Sequence, residues 1–574
     1  MLRSHKLAKA ANIPPAGKTM DAVVQKPMFA KMVQIAMRAP TMRRADAFAF
    51  RKYMTDHAPF VDVPEVGKCN RKSAEVRQVG NRFYLEKNFD EALKKYNESI
   101  CYAEAGSEHL GTGYANRSAI YYEMREYEFA LANIELAKKH NYPEKLMPKL
   151  LAREENCKKN LKNGESKGTV PNPPMGINVE VNPKIPFLAK GIKMESLPEF
   201  GRSMVAEKDF RAGDVILSEK PLAAAIDSSL RYADCSYCTI VHFNSLIPCP
   251  GCVSFMYCDE KCRQADWKTH RFECGVAEKL MFVSYGNLFL GPRMFFHGLS
   301  LFNDDLKAMM EFCESNPRTG GKPLELDYTN LDPLAQFKVF HQTKSPTNSS
   351  VDNVFNYFSA GYYSVFIEHP PVKALVKTKR EQDFMLQCFL DYMRTASFLA
   401  FDKWECFATP LGLISSLFNH SCDPNAYAVI HPTEIKIAVL RPIRRGEQIC
   451  ISYGPVWWEQ AELKMADTML LGFECRCVVC DPVKRKPWRA AGQKLPPDAL
   501  PEWGVIELLL MNPGGCVDAA TMLNAIRKYV ESYAYVHPRD EFNLALKAHQ
   551  QNLLRCFMAE LAAQQRATVV KGLL

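Results

Sequence analysis

The stretch that decides the fold is Leu417-Phe418-Asn419-His420-Ser421-Cys422-Asp423-Pro424-Asn425. Two further motifs follow it, Arg445-Gly446-Glu447-x4-Ser452-Tyr453-Gly454 and then Gly472-Phe473-Glu474-Cys475-Arg476-Cys477-Val478-Val479-Cys480. The spacing Cys475-x-Cys477-x2-Cys480 offers three thiolates to a metal ion, which needs a fourth ligand. Cys422 can supply that ligand if the chain brings residues 422 and 475 together.

A second group of metal-ligand residues lies upstream, between residues 235 and 274. It consists of four pairs, Cys235-x2-Cys238, Cys249-x2-Cys252, Cys258-x3-Cys262 and His270-x3-Cys274. Eight such ligands fill two closed tetrahedral zinc shells, with no open position for water, so we expect structural zinc. His242 breaks the pairing and is interpreted as an ordinary side chain. The spacing alone does not say which pairs share an ion.

This upstream group resembles the MYND zinc finger, including its Tyr257-Cys258 and its ending Trp267-Lys268-x-His270-x3-Cys274. The resemblance implies interleaved ligands. One zinc would be held by Cys235, Cys238, Cys258 and Cys262, and the other by Cys249, Cys252, His270 and Cys274. MYND fingers generally bind short proline-containing peptides, which implies such partners here.

The downstream motifs are similar to the SET domain and post-SET zinc site of the SMYD family of lysine methyltransferases. In that family the MYND finger interrupts the SET domain, and residues 200–206 and 212–221 would form the upstream SET half. The resemblance implies a protein-lysine N-methyltransferase that uses S-adenosyl-L-methionine (SAM) on a protein substrate. It also implies a third zinc, held by Cys422, Cys475, Cys477 and Cys480.

The same resemblance assigns roles to single residues. Tyr453 matches the catalytic tyrosine, and Phe398 matches a wall of the lysine channel. The cofactor-binding residues would be Gly201, Arg202, Ser203, Asn419, His420, Tyr453 and Phe473, the last by stacking on the adenine. Taken alone, Tyr453 has another interpretation, because residues 449–453 alternate like a strand and a tyrosine ending a strand is usually a packing residue.

Three positions depart from the family pattern. Ser203 stands where the second glycine of a Gly-x-Gly turn is usual, Ala396 replaces an asparagine of the cofactor site, and Leu471 replaces a tyrosine. Loss of polar contacts would weaken cofactor binding. Two functional hypotheses therefore stand: an active methyltransferase, or a non-catalytic or weakly active adaptor that binds partners through its finger and repeats.

Residues 71–165 contain an internal repeat. Gly80, Phe89, Ala92, Leu93 and Tyr96 recur 38 residues later as Ser118, Tyr127, Ala130, Leu131 and Ile134. This resembles a tetratricopeptide (TPR) array with a four-residue insertion, the alternative being an unrelated pair of helical hairpins. The positions of a carboxylate clamp, which would bind a chaperone's C-terminal tail, are matched by Arg77, Asn81, Asn116, Lys149 and Arg153. The alternative is that these residues simply form a solvent-exposed charged face of the helices.

We therefore predict a multidomain α+β protein: a β-rich SET core split by a MYND zinc finger and a helical insert, flanked by N- and C-terminal α-helical TPR-like domains. The predicted boundaries are 1–70 (flexible basic extension), 71–165 (TPR-like), 166–190 (Gly/Pro-rich linker), 191–232 (first SET part), 233–274 (MYND finger), 275–395 (helical insertion), 396–470 (catalytic SET part), 471–482 (post-SET zinc site) and 483–574 (C-terminal helices).

Charge and composition exclude several classes. The net charge of +9 comes almost entirely from residues 1–45, which hold nine Lys or Arg and one acid, Asp21. The near-neutral body makes direct nucleic-acid binding unlikely. Prolines interrupt the basic segment, which favours a flexible tail over a transit peptide. We expect no membrane span and no secretory signal, hence a place in the cytoplasm, the nucleus or both. The target lysine, the methylation degree and the oligomeric state are not predicted.

Overall fold

The computed structural model describes most of the chain beyond the basic N-terminal segment. The described residues are 65–166, 175–226, 230–239, 246–283, 286–345, 349–400, 408–431, 433–454, 456–458, 475–511 and 519–573. Every structural statement below refers to these residues.

The N-terminal part is a series of antiparallel helices. They are α1 (Asn70–Leu85), α2 (Phe89–Tyr102), α3 (Glu108–Glu123), α4 (Tyr127–Lys139) and α5 (Met147–Lys162). The turns after α1 and α3 are alike: Lys87 and Arg125, 38 residues apart, both have a left-handed backbone, with φ of 57° and 58°. Gly80 allows α1 and α2 to approach closely, because a Cβ there would lie 2.7 Å from the Tyr96 ring.

The predicted SET core is built from short strands of distant sequence segments. They are β1 (Ile192–Leu197), β2 (Gly201–Ala206), β3 (Val215–Glu219), β4 (Ala223–Ile226), β7 (Ala408–Leu411), β8 (Asn419–His420), β9 (Ala426–His431), β10 (Glu434–Val439) and β11 (Cys450–Ile451). β1 and β2 form an antiparallel hairpin, β3, β10 and β9 form an antiparallel sheet, and β4 pairs with β7. β8 runs parallel to β11, which places Asn419 opposite Cys450.

The segment of the predicted zinc finger, called the finger below, and a helical insertion separate the two halves of this core. The finger contains β5 (Ile247–Pro248), β6 (Met256–Tyr257) and α6 (Glu260–His270). The insertion comprises α7 (Ala277–Val283), α8 (Gly286–Leu301), α9 (Leu306–Ser315), α10 (Pro333–Gln342), α11 (Ser349–Ile367), α12 (Pro370–Lys373) and α13 (Lys379–Leu399). Its aromatic-rich hydrophobic core includes Phe296, Phe366 and Phe389, and α8 packs along α13.

Helices also end the chain: α14 (Pro482–Ala491), α15 (Ala499–Met511), α16 (Ala519–Tyr533) and α17 (Asp540–Leu573). α17 packs on β9 through Phe557, and the buried Lys436 of β10 bonds Glu560 at 3.0 Å. The same helix approaches α4, so it touches both the core and the N-terminal helices. The helical N- and C-terminal regions of the predicted fold are thus present.

The predicted linker, residues 166–190, is described from residue 175 onward and at residue 166. Residues 175–190 pack on the SET core, because Leu188 and Ala189 are buried and the Ala189 N–H donates to the Ile216 carbonyl at 2.8 Å. Across the described part of the chain, no helix is both long and apolar enough to cross a bilayer.

Candidate active site and metal centres

Three segments that lie far apart in sequence meet beside β2. The Val205–Gln448 bridge joins β2 to the chain before β11, and the Ile449 N–H donates to the Met204 carbonyl at 2.8 Å. β8 lies on the other side of β11. The structure thereby brings together Gly201, Arg202, Ser203, Asn419, His420 and Tyr453.

The turn into β2 is open and shaped by Gly201. Its φ of 66° is left-handed, a conformation that favours glycine. No described atom lies within 4 Å of where a Cβ on Gly201 would stand. The Asn419 amide crosses to this turn and donates to the Arg202 carbonyl at 2.8 Å and to the Ser203 hydroxyl at 3.1 Å. An open turn beside a fixed amide suits a small polar ligand.

Tyr453 is held at both ends. Its hydroxyl donates to the Phe418 carbonyl at 2.7 Å, and its backbone N–H donates to His420 Nδ1 at 3.0 Å. Burial raises the pKa of Tyr453 above the ordinary value of a phenol, and burial lowers the pKa of His420 to about 4. At neutral pH the phenol therefore keeps its proton and the imidazole is neutral, as its role as an acceptor requires.

A buried carboxylate supports the segment before β8. Glu219, at the end of β3, accepts the N–H groups of Leu413 and Ile414 at 2.9 Å and that of Ser415 at 2.8 Å. Burial raises the pKa of Glu219 despite these bonds. The carboxylate thus fixes the 3-10 turn Ser415–Leu417, which leads directly into the Phe418 carbonyl and Asn419.

Of the other residues named from the sequence, two lie near the end of α13 and two fall outside the described residues. Phe398 is partly buried on α13 and packs against the core of the helical insertion. Ala396 is fully buried in that same core. Phe473 and Leu471 lie outside the described residues, so their roles stay predictions.

Three sets of four ligand atoms each lie within 4.8 Å of one another. They are Cys235, Cys238, Cys258 and Cys262; Cys249, Cys252, His270 and Cys274; and Cys422, Cys475, Cys477 and Cys480. This grouping is the interleaved one that the MYND resemblance implies. Zinc–sulfur bonds of about 2.3 Å place tetrahedral sulfurs about 3.8 Å apart. The Sγ–Sγ distances of 3.4 Å (Cys238–Cys258), 3.9 Å (Cys249–Cys274) and 3.5 Å (Cys422–Cys480) fit this.

A buried polar chain ties the finger to the insertion. His270 turns Nε2 toward the sulfur of Cys249 at 3.3 Å and Nδ1 toward Glu273 at 3.3 Å. Arg293 of α8 bonds Glu273 at 3.0 Å and also pairs with Asp266. Such partners fix the orientation of a ligating imidazole.

The clamp residues converge on α3. Asn81 Oδ1 accepts from Asn116 Nδ2 at 2.9 Å, and the Arg153 guanidinium donates to the Ala115 carbonyl at 3.0 Å. Arg77 approaches His109 of α3 at 3.4 Å, while Lys149 is exposed on α5, one turn before Arg153. The structure therefore places Arg77, Asn81 and Arg153 against α3, which carries Asn116.

Comparison with known proteins identifies the core. The family model described as the SET domain matches residues 201–454. A curated "SET and MYND domain-containing protein" from Dictyostelium discoideum is 24% identical over 51% of this chain and 82% of its own length. The chain is thus similar to the SET- and MYND-domain proteins of the SMYD family. Within the segment that the SET model covers lie the Gly201 turn, β8 and Tyr453 described above.

Several SMYD relatives are protein-lysine N-methyltransferases by name. "Protein-lysine N-methyltransferase SMYD4" from Danio rerio is 26% identical over 38% of this chain and 31% of its own length. The Homo sapiens protein of the same name is 22% identical over 72% of this chain and 67% of its own length. "Histone-lysine N-methyltransferase ASHR1" from Arabidopsis thaliana is 24% identical over 50% of this chain and 54% of its own.

Among solved structures, "Structure of Rubisco LSMT bound to AdoMet" matches 67% of this chain and 88% of its own at 15% identity, with a TM-score of 0.26. This structural similarity is weak.

Sequence reasoning missed two groups of residues that support the candidate site. One is Glu219, which in the sequence stands out only as an acidic residue at the end of an apolar strand. The other surrounds the buried Asp423, which accepts from Trp457 Nε1 at 2.9 Å and lies 3.0 Å from His537 Nε2 and 3.2 Å from Arg441. This second group joins the segment after β8 to the C-terminal helices.

Proposed function

We propose that this protein is a SAM-dependent protein-lysine N-methyltransferase. The observation that carries the proposal is the meeting of the open Gly201 turn, the Asn419 amide and the half-buried Tyr453 in one SET core. When bound, SAM supplies an electrophilic methyl group. The names of the SMYD relatives support a protein lysine as the acceptor.

The chain's own residues would bind, orient and desolvate the reactants. A lysine amine has an ordinary pKa of about 10.4, so the site must favour its neutral form, which an apolar environment does. The Tyr453 hydroxyl donates its hydrogen bond to the Phe418 carbonyl. Its oxygen would then accept an N–H of the amine and aim the nitrogen lone pair, since orientation accounts for much of such a barrier.

Calorimetry with SAM and zinc-loaded protein tests this function. We expect micromolar binding, weakened about 10- to 100-fold by Asn419→Ala, because that change removes a hydrogen-bonding group for a charged ligand end. Asn163→Ala, at the end of α5, is the control and should leave affinity unchanged. The proposal is wrong if the unsubstituted protein binds no SAM at millimolar concentration.

Tyr453→Phe should separate binding from chemistry. We expect SAM affinity to stay within twofold, while methyl transfer falls about 10- to 100-fold because the oxygen that orients the amine is gone. Transfer of labelled methyl groups to proteins of a cell extract measures the rate. Tyr535→Phe, at an exposed tyrosine of the C-terminal helices, serves as the control. Equal rates for the two variants would exclude the role of Tyr453.

We also propose that α1–α5 are a TPR array, that residues 233–274 are a MYND finger and that the protein binds three zinc ions. The matching left-handed turns at Lys87 and Arg125 support the array, and the interleaved ligand sets support the finger and the zinc count. The N-terminal helices cover Leu246, Phe255 and Met256 of the finger. A proline-containing peptide would therefore bind another face of it.

We further propose that Arg77, Asn81, Asn116, Lys149 and Arg153 bind a C-terminal carboxylate with acidic neighbours, such as a chaperone tail. Lys149→Glu should weaken binding of a peptide with a free acidic C-terminus at least tenfold, since it reverses an exposed charge beside Arg153. Fluorescence anisotropy measures the affinity. Lys162→Glu, in the last turn of α5, is the matched charge reversal. Equal affinity for the amidated peptide would contradict the clamp.

A further inference from the structure

Ser203 joins three segments of the proposed cofactor site. Its side chain is fully buried, and its hydroxyl donates to the Gly201 carbonyl at 3.2 Å. The hydroxyl oxygen also accepts from Gln448 Nε2 at 2.9 Å and from Asn419 Nδ2 at 3.1 Å. A hydroxyl has one proton and two lone pairs, so its whole hydrogen-bonding capacity is used.

These contacts fix which way the Asn419 amide faces. The Arg202 carbonyl, 2.8 Å from the amide, can only accept, so the Asn419 nitrogen and not its oxygen must lie there. The Ser203 hydroxyl holds the same nitrogen from a second direction. The amide oxygen consequently points away from the turn, and within the described part of the chain it accepts no hydrogen bond.

We infer that Ser203 is a positioning residue: it locks Asn419 so that Oδ1 accepts a hydrogen bond from the ammonium group at the amino-acid end of SAM. The inference rests on the proposed function. With glycine at 203, Asn419 would keep its bond to the Arg202 carbonyl but lose its bond to the hydroxyl, and the Gln448 side chain would lose its bond to residue 203. The serine is thus a gain for the site, although it departs from the family's glycine.

Two ligands separate positioning from a general loss of the pocket. SAM carries the ammonium group, whereas 5′-methylthioadenosine shares the adenosine and the sulfur but has no amino-acid end. We expect Ser203→Gly and Ser203→Ala to weaken SAM binding about tenfold, measured by calorimetry, and to leave binding of 5′-methylthioadenosine within twofold. Retained binding of that ligand also shows that a variant is folded. Ser218→Gly, inside β3 with its hydroxyl on Glu434, is the matched control.

A double-substitution cycle completes the test. In the Asn419→Ala background, Ser203→Gly should change SAM affinity less than twofold, because its effect passes through Asn419. Three results would each overturn the inference while leaving the proposed function intact. They are additive losses of SAM affinity in the double variant, unchanged SAM affinity in the Ser203 variants, and equal losses of affinity for SAM and 5′-methylthioadenosine. Absence of SAM binding by the unsubstituted protein would overturn both.

Discussion

Replacing Cys422 with serine should abolish SAM binding and lower the zinc content by one ion per chain. Cys422 follows β8 by two residues, and its sulfur lies 4.0 Å from that of Cys475 and 3.5 Å from that of Cys480. The proposed third zinc thus joins the Asn419 segment to the chain at 475–480. Binding of a structural zinc is worth about 10 to 16 kcal/mol in small fingers and is folding free energy.

The loss should reach the cofactor turn through α14. This helix begins directly after Cys480, and its Lys484 bonds Glu199 at 2.5 Å and lies 5.2 Å from the centre of the Phe200 ring. Glu199 and Phe200 immediately precede Gly201. Without the metal, Cys480 no longer fixes the start of α14, so the contacts of Lys484 with Glu199 and Phe200 are weakened. The Asn419 segment is also freed, because Cys422 no longer binds the ion.

Cys262→Ser is the matched control for that prediction. It removes one ligand of a finger site, so the zinc content should also fall by one ion. SAM binding should persist, because the Gly201 turn, β8 and Tyr453 do not depend on the finger. Metal analysis and calorimetry measure both quantities. The proposed third site is wrong if Cys422→Ser retains either full zinc content or SAM affinity within twofold.

Features that depend on local spacing could be predicted from the sequence. Metal ligands two or three residues apart indicated the zinc groups, since such spacing lets two ligands face one ion. The sequence also predicted helices over residues 483–574, and the structure has α14 to α17 there. α14 was harder to single out, because Pro482 and Pro487 both fall within it; Pro482 lies in the first turn, where proline is tolerated.

Polar contacts between distant segments could not be predicted. Glu219 bonds N–H groups almost two hundred residues downstream, and Asp423 meets His537 more than a hundred residues away. No local pattern marks a buried carboxylate as the partner of a remote turn. The inferred role of Ser203 could not be predicted for the same reason. The sequence indicated only that serine replaces a glycine, whereas the partners of its hydroxyl are seen only when β2, β8 and the chain at Gln448 come together.

Replacing Arg117 with methionine should loosen the N-terminal helices from the finger by about 3 to 5 kcal/mol. Arg117 is fully buried on α3 and donates to Asn133 Oδ1 and Asn97 Oδ1 at 2.6 Å, and to the Leu246 carbonyl of the finger at 2.8 Å. Hydrogen bonds to a charged group are worth about 1.5 to 3 kcal/mol each. Native-state hydrogen exchange in α2 and at residues 246–257 measures the opening free energy, and α17 should be unaffected.

The sign of that effect needs an argument, because exchanging buried charged clusters for apolar ones is often neutral or stabilising. Burial lowers the pKa of Arg117, which shows that its charge is costly where it lies. Methionine, however, removes only the donor. The Asn97 and Asn133 amides already donate to the Tyr232 and Phe129 carbonyls at 2.8 Å, so neither can turn to satisfy its oxygen differently. Three buried acceptors lose their donor, and that cost exceeds the relief of the buried charge.

Arg82→Met, on the exposed side of α1, should change the same free energy by less than about 0.5 kcal/mol. If Arg117→Met changes it no more than Arg82→Met, Arg117 does not hold the helices on the finger.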